Sequence, residues 1–251
     1  MNTHWHSDHV GGNAGVTDIF LAPVAASRTE GERVNAGDPE SFGSNWLDQP
    51  VARYHVDRLV EPGERLGTGN ITLRVIATPG HSLGQIALYE ERDRVLIAGD
   101  AILAGDVPWV NPFLDGPAAL ETAIATVERI GTLGARVAVA GHGEIIEDVA
   151  GSVKRTLERM RMWRQDPVKM AFHGSRRIFG YALMIRGGIA RSDLFPYLVA
   201  RRWVRDFATL AGVSAGEFAE RLVADLTGSG AARWEEDRLV SGVPHTAPAM
   251  R

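Results

Sequence analysis

Thr3-His4-Trp5-His6-Ser7-Asp8-His9-Val10-Gly11-Gly12 is the stretch on which the reading of this chain turns. Between His4 and His9 it sets three imidazoles and one carboxylate, with Trp5 and Ser7 as spacers. Imidazole nitrogen and carboxylate oxygen are ligands for zinc, iron and manganese. Residues so close in a loop cannot all converge on one tetrahedral ion. Alternate positions, His4 and His6, can face one cation while Asp8 and His9 face a second. The chain has no cysteine, which excludes disulfides and thiolate zinc sites. Any metal must be held by His, Asp or Glu.

Outward from this stretch, the 251 residues have an ordinary globular composition, 45% apolar and 23% charged. No apolar run approaches the roughly 18 residues of a membrane span, and no signal-peptide pattern opens the chain. A cytoplasmic, membrane-free protein is the default expectation. The net charge of -4 divides unevenly. Residues 1–150 hold 10 Arg against 21 acidic residues, and residues 151–251 hold 17 Lys and Arg against 10 acidic ones. That shift predicts two domains, 1–150 and 151–251.

Residues 1–13 read as a polar loop and Ile19-Phe20-Leu21-Ala22 as a short buried strand. Residues 28–50, rich in Gly, Asp, Ser and Pro, read as a surface excursion. Strands are expected at 56–61 and 71–76, and a hairpin over 85–90 and 94–98. Leu120, Ile124, Val127 and Ile130 share one face of a helix over 117–131, and Val137–Ala140 reads as a buried strand. From about residue 147 helical periodicity takes over, with segments near 149–160, 167–173, 176–186, 193–211 and 215–227. A hairpin over 231–240 closes the series, so a winged-helix arrangement is one reading of the tail. Strands, a helix and further strands in the first part imply an α/β layer architecture.

Three later motifs carry further His and Asp residues. Thr78-Pro79-Gly80-His81-Ser82 follows a strand, Leu96-Ile97-Ala98-Gly99-Asp100 ends one, and Ala140-Gly141-His142-Gly143 follows a third. With the opening stretch, and in this order, they resemble the metallo-β-lactamase superfamily, of the glyoxalase II-like or LACTB2-like kind, over about residues 1–148. The resemblance implies an αββα sandwich. It implies that His4, His6 and His81 bind one metal, that Asp8, His9 and His142 bind a second, and that Asp100 bridges them. Two divalent ions, zinc before iron or manganese, about 3.5–4 Å apart would share a hydroxide and lower its pKa. Asp8 and Asp100 are then the catalytic carboxylates. Gly80, Gly141 and Gly143 would let the backbone turn beside the ligands. His55, His173 and His245 match no motif and read as structural or solvated.

Members of the superfamily usually carry strands ahead of the first motif, whereas His4 here stands three residues from the start. The expectation is a sandwich incomplete at its N-terminus, with an open sheet edge that a second subunit could cover as a homodimer. The expected activity is hydrolysis of a small ester, thioester or lactone. A ribonuclease using the basic tail, and a binding module without metal, are the alternatives. Trp109 and Phe113 could line a pocket or pack.

Overall fold

The computed structural model describes residues 1–243; His245 lies outside them. These residues form two compact units. The first comprises 1–44 and 50–165, the second 45–49 and 166 onward.

In the first unit the chain runs α1 (Ser7–Val10), α2 (Asn13–Phe20), β1 (Ala25–Ser27), α3 (Arg28–Asn35), then a turn into α4 (Ser44–Leu47), which leads into the second unit. It returns through β2 (Arg58–Val60), β3 (Arg65–Thr68), β4 (Ile71–Ala77), β5 (Ile86–Glu90) and β6 (Val95–Gly99). The helix α5 (Ala119–Thr132), β7 (Val137–Ala140) and α6 (Val149–Gln165) complete it. Five strands make one sheet in the order β3-β4-β5-β6-β7, and β1 and β2 pair in parallel as a second. Val60 of β2 joins Leu66, Val75, Ile86 and Leu88 in a core cluster on the larger sheet. The helix α5 buries Ile124, Val127 and Ile130 of the face its periodicity predicted, with Ala123 beside them, while Leu120 is only half-buried.

The strand directions decide where the site can form. β4 and β6 each run antiparallel to β5, and β7 runs parallel to β6. The carboxyl ends of β4, β6 and β7 therefore lie on one edge of the sheet. The start of β5 shares that edge, and there Ile86 N donates to Thr3 O at 2.8 Å. On its other side Asn2 N donates to Ala25 O at 2.8 Å, which seats the opening residues between β5 and β1.

Several expectations are corrected. Within residues 1–13, expected as a loop, Ser7–Val10 is helical and Asn13 opens α2. Ile19 and Phe20 end α2 instead of forming a buried strand, and Ile19, Phe20 and Leu21 are 71%, 71% and 85% exposed. A four-residue apolar run cannot distinguish strand from helix, and hydrogen bonding continuous from Asn13 decides for helix. Residues 28–50 are no surface excursion: Glu30, Gly31, Trp46 and Leu47 are buried on short helices. β7 is an edge strand with Val139 41% exposed, not a buried one.

The second unit contains α7 (Pro167–Ile185), β8 (Ile189–Ala190), α8 (Arg191–Ala200), α9 (Arg202–Ala211), α10 (Ala215–Gly228), β9 (Ala232–Glu235) and β10 (Arg238–Ser241). The strands form an antiparallel sheet in the order β8-β10-β9. α7 starts where the Asp166 carboxylate accepts from Lys169 N with Pro167 in the first turn. It is one helix where two were expected, because Gly174 falls on its buried face and burial outweighs the roughly 1 kcal/mol glycine penalty. The expected helix over 193–211 is two, broken at Arg201, whose backbone is extended at ψ 135. Residues 45–49 supply Trp46, fully buried, which donates from Nε1 to Asp206 at 2.7 Å and packs on Phe207. Asp48 pairs with Arg186 at 2.6 Å and Arg201 at 2.9 Å. Among the described residues no helix is long and apolar enough to cross a membrane.

Candidate metal centre

Each candidate ligand stands at the sheet edge for a local reason. Asp100 and His142 follow the ends of parallel neighbours whose register pairs Gly99 with Ala140, so the two side chains meet at 3.5 Å. His81 lies four residues beyond Ala77, the last residue of β4. His4 and His6 come from the segment seated against β5, and Asp8 and His9 lie on α1. All seven residues singled out from sequence are brought together. His55 and His173 fall outside the three groupings that could hold a cation: His4, His6 and His81; His4, His9 and Asp100; Asp8, His9 and His142.

Within the cluster, His6 Nδ1 lies 2.9 Å from His81 Nε2, and His9 Nε2 lies 3.2 Å from His142 Nε2. Asp8 Oδ2 is 3.0 Å from His142 Nε2. Asp100 reaches three imidazoles, His9 at 3.6 Å, His81 at 3.6 Å and His142 at 3.5 Å. His4, His6, His81 and Asp100 are buried, whereas Asp8 and His142 are exposed. The site thus has a dry floor and an open mouth.

Burial holds the His4 and His81 imidazoles below their ordinary pKa, and burial with the neighbouring His81 brings His6 down to about 3. Their rings are neutral at pH 7 and keep lone pairs free to coordinate. Burial pushes both carboxyls up. At Asp8 the His142 hydrogen bond acts together with the neighbouring imidazoles, and at Asp100 the imidazoles of His9, His81 and His142 act together. Each sum outweighs burial, so both carboxyls lie below their ordinary pKa and stay ionised. The Asp8 hydrogen bond raises His142.

The donors fit divalent cations. His4 Nε2 and Asp100 Oδ1 are buried with no hydrogen-bond partner, a cost that a coordinated cation would remove. Neutral imidazoles with ionised carboxylates are the donor set of zinc, iron and manganese sites. Gly141 is required by space: a Cβ there would overlap Asp100 Oδ1 and His9 Cε1.

The supporting residues were not legible from motifs. His81 Nδ1 lies 2.7 Å from the Trp109 carbonyl oxygen, an acceptor that turns Nε2 towards the cluster. The Trp109 ring stacks on His6 at 5.3 Å and 14°. Gln85 donates from Nε2 to Thr78 O at 3.1 Å and accepts from Asp100 N at 3.3 Å, tying two ligand-bearing segments together. Its signal in the sequence was weak: a polar residue opening an apolar strand. Trp5 and Ser7 are buried spacers, Trp5 beneath the Arg33 guanidinium at 4.6 Å.

The family model described as the metallo-beta-lactamase superfamily matches residues 1–142. The chain belongs to this superfamily. Within the superfamily, a beta-lactamase-like protein 2 homolog from Caenorhabditis elegans is 32% identical over 168 residues, 65% of this chain and 48% of that protein. The atrochrysone carboxyl ACP thioesterase of Aspergillus fumigatus is 26% identical over 178 residues, 70% of this chain and 47% of that one. A solved metallo-beta-lactamase family protein from Thermus thermophilus superposes with a TM-score of 0.55 at 25% identity, covering 95% of this chain and 78% of that chain. The chain spans about half the length of the curated relatives it matches. The superfamily fold implies divalent metal ions, often two, and the His/Asp cluster stands where the motifs converge.

Proposed function

We propose that the chain is a metal-dependent hydrolase of a small ester, thioester or lactone. The observation that carries this reading is the convergence of seven ligand-type side chains at one sheet edge. In it, His4, His6 and His81 hold one divalent cation and Asp8, His9 and His142 a second, with Asp100 between them. Zinc is the first choice, and iron or manganese would accept the same donors. Cations bound there supply Lewis-acid activation of water and of an acyl carbonyl.

The chain's own residues orient and insulate. Trp109 O fixes the His81 ring, and the buried His4 and His6 keep bulk water from the floor of the site. Asp8 and Asp100 supply the negative charge that retains cations there. Asp8 and His142 stand at the mouth, where a substrate enters. Relatives named as a thioesterase and as hydroxyacylglutathione hydrolases support a hydrolytic reading. Many basic side chains of the second unit are engaged: Arg176 with Asp225, Arg186 and Arg201 with Asp48, Arg221 with Glu217, and Arg233 with Glu235. This favours a small-molecule substrate over nucleic acid.

Elemental analysis of protein purified without added metal should find about two ions per chain. A panel of thioesters, lactones and esters should then reveal turnover that a chelator removes. Asp100→Asn should lower kcat/KM by at least roughly a hundredfold with the fold retained. Unchanged turnover in that variant would sink the two-metal mechanism.

A further inference from the structure

Immediately beyond His81, three successive residues are held by two carboxyl groups from distant parts of the chain. The Ser82 hydroxyl donates to Glu30 Oε1, Leu83 N donates to Asp115 Oδ1 at 3.2 Å, and Gly84 N donates to the Glu30 carboxyl. Glu30 sits in the first turn of α3, where its own N donates to the capping hydroxyl of Ser27 at 3.4 Å. Asp115 lies in the loop between β6 and α5. The Glu30 side of the grip is close and dry, whereas Leu83 on the Asp115 side is exposed. Glu30 is 2% exposed and Ser82 0% exposed, and a Cβ on Gly84 would overlap the Glu30 side chain and the Ser27 hydroxyl.

We propose that Glu30 and Asp115 are positioning residues that clamp residues 82–84 and thereby set the backbone from which His81 reaches the cluster. The proposal rests on the reading of His81 as a metal ligand. The His81 ring is held at Nδ1 by Trp109 O, so the clamp supplies the second constraint, on its main chain. Two anchors fix both position and direction of an imidazole, which one ring hydrogen bond cannot do. Burial raises Glu30 to about 8 and Asp115 to about 7, which reduces the negative charge placed behind the ligand loop near neutral pH.

The test is a zinc and cobalt(II) titration of the full chain, with circular dichroism melting as the control for folding. Glu30→Ala and Asp115→Ala should each weaken binding of one ion by roughly 10–100-fold and alter the cobalt visible spectrum. Glu30→Gln and Asp115→Asn, which keep an acceptor oxygen at the same reach, should stay within about threefold of the parent. His81→Ala should lose that ion. Folded alanine variants with parental affinity and spectrum overturn the clamp. So does failure of both alanine variants to fold, which would make the role purely structural. A parent that binds no ion, or a His81→Ala variant that binds like the parent, instead overturns the metal reading itself.

Discussion

Glu30 is 2% exposed, and burial raises its carboxyl to about 8. In the unfolded chain the same group ionises near its ordinary value of 4.5. The folded state therefore binds the extra proton. Stability from this group is fully present below about pH 4.5 and is lost as pH rises towards 8, on the order of a few kcal/mol in total. Glu30→Gln stays neutral throughout. Its melting temperature should gain on the parent between pH 4.5 and 8 and run parallel to it above. A gap constant across that range would refute the assignment. Gly80 offers a second test at this scale. Its φ is +135, and a Cβ there would overlap the backbone of Ala123 on α5. Gly80→Ala should cost roughly 2–5 kcal/mol in denaturant unfolding, because strain and overlap act together.

α2 shows how an element can contradict its composition. It is an eight-residue helix with no buried residue, and Val16, Ile19, Phe20 and the following Leu21 are 47–85% exposed. Apolar side chains in water contribute nothing to the fold and favour association. The double variant Ile19→Lys, Phe20→Glu should therefore unfold within about 0.5 kcal/mol of the parent. It should sediment with less association at high concentration. A large stability loss would show that this face is covered. α5 behaves in the opposite way. Three of the four residues of its predicted apolar face, Ile124, Val127 and Ile130, are buried, and the Thr126 hydroxyl on that helix donates to Pro79 O at 2.7 Å, which links a packing helix to the loop that bears His81.

At the scale of the molecule, the second compact unit is not one continuous stretch. Residues 45–49 belong to it, and Trp46 is fully buried there with its Nε1 on Asp206. Trp46→Ala should destabilise this unit by roughly 3–5 kcal/mol. A fragment beginning at Asp166 should melt well below the same unit within the full chain, and a fragment with the parental melting temperature would refute this. The composition shift near residue 150 and the unit limit at Gln165 are different positions, because surface charge changes where α6 begins while its buried Val153, Met160 and Trp163 keep it in the first unit.

From sequence, residue type and spacing picked out His4, His6, Asp8 and His9 as ligand-type residues, and the resemblance of three later motifs to the metallo-β-lactamase superfamily added His81, Asp100 and His142. The sequence also determined β4, the β5–β6 hairpin and α5, whose periodicities are long enough to be unambiguous. Tertiary structure alone decided the rest. Glu30, Gln85, Asp115 and the Trp109 carbonyl support the site through contacts 7 to 52 residues apart in the chain, which local pattern does not encode. Short apolar runs such as 19–22 and 137–140 mislead because burial depends on what packs above them. The polar stretch 28–50 hides Glu30 and Trp46 for the same reason: composition reports the average of a segment, and folding acts on the faces of individual side chains.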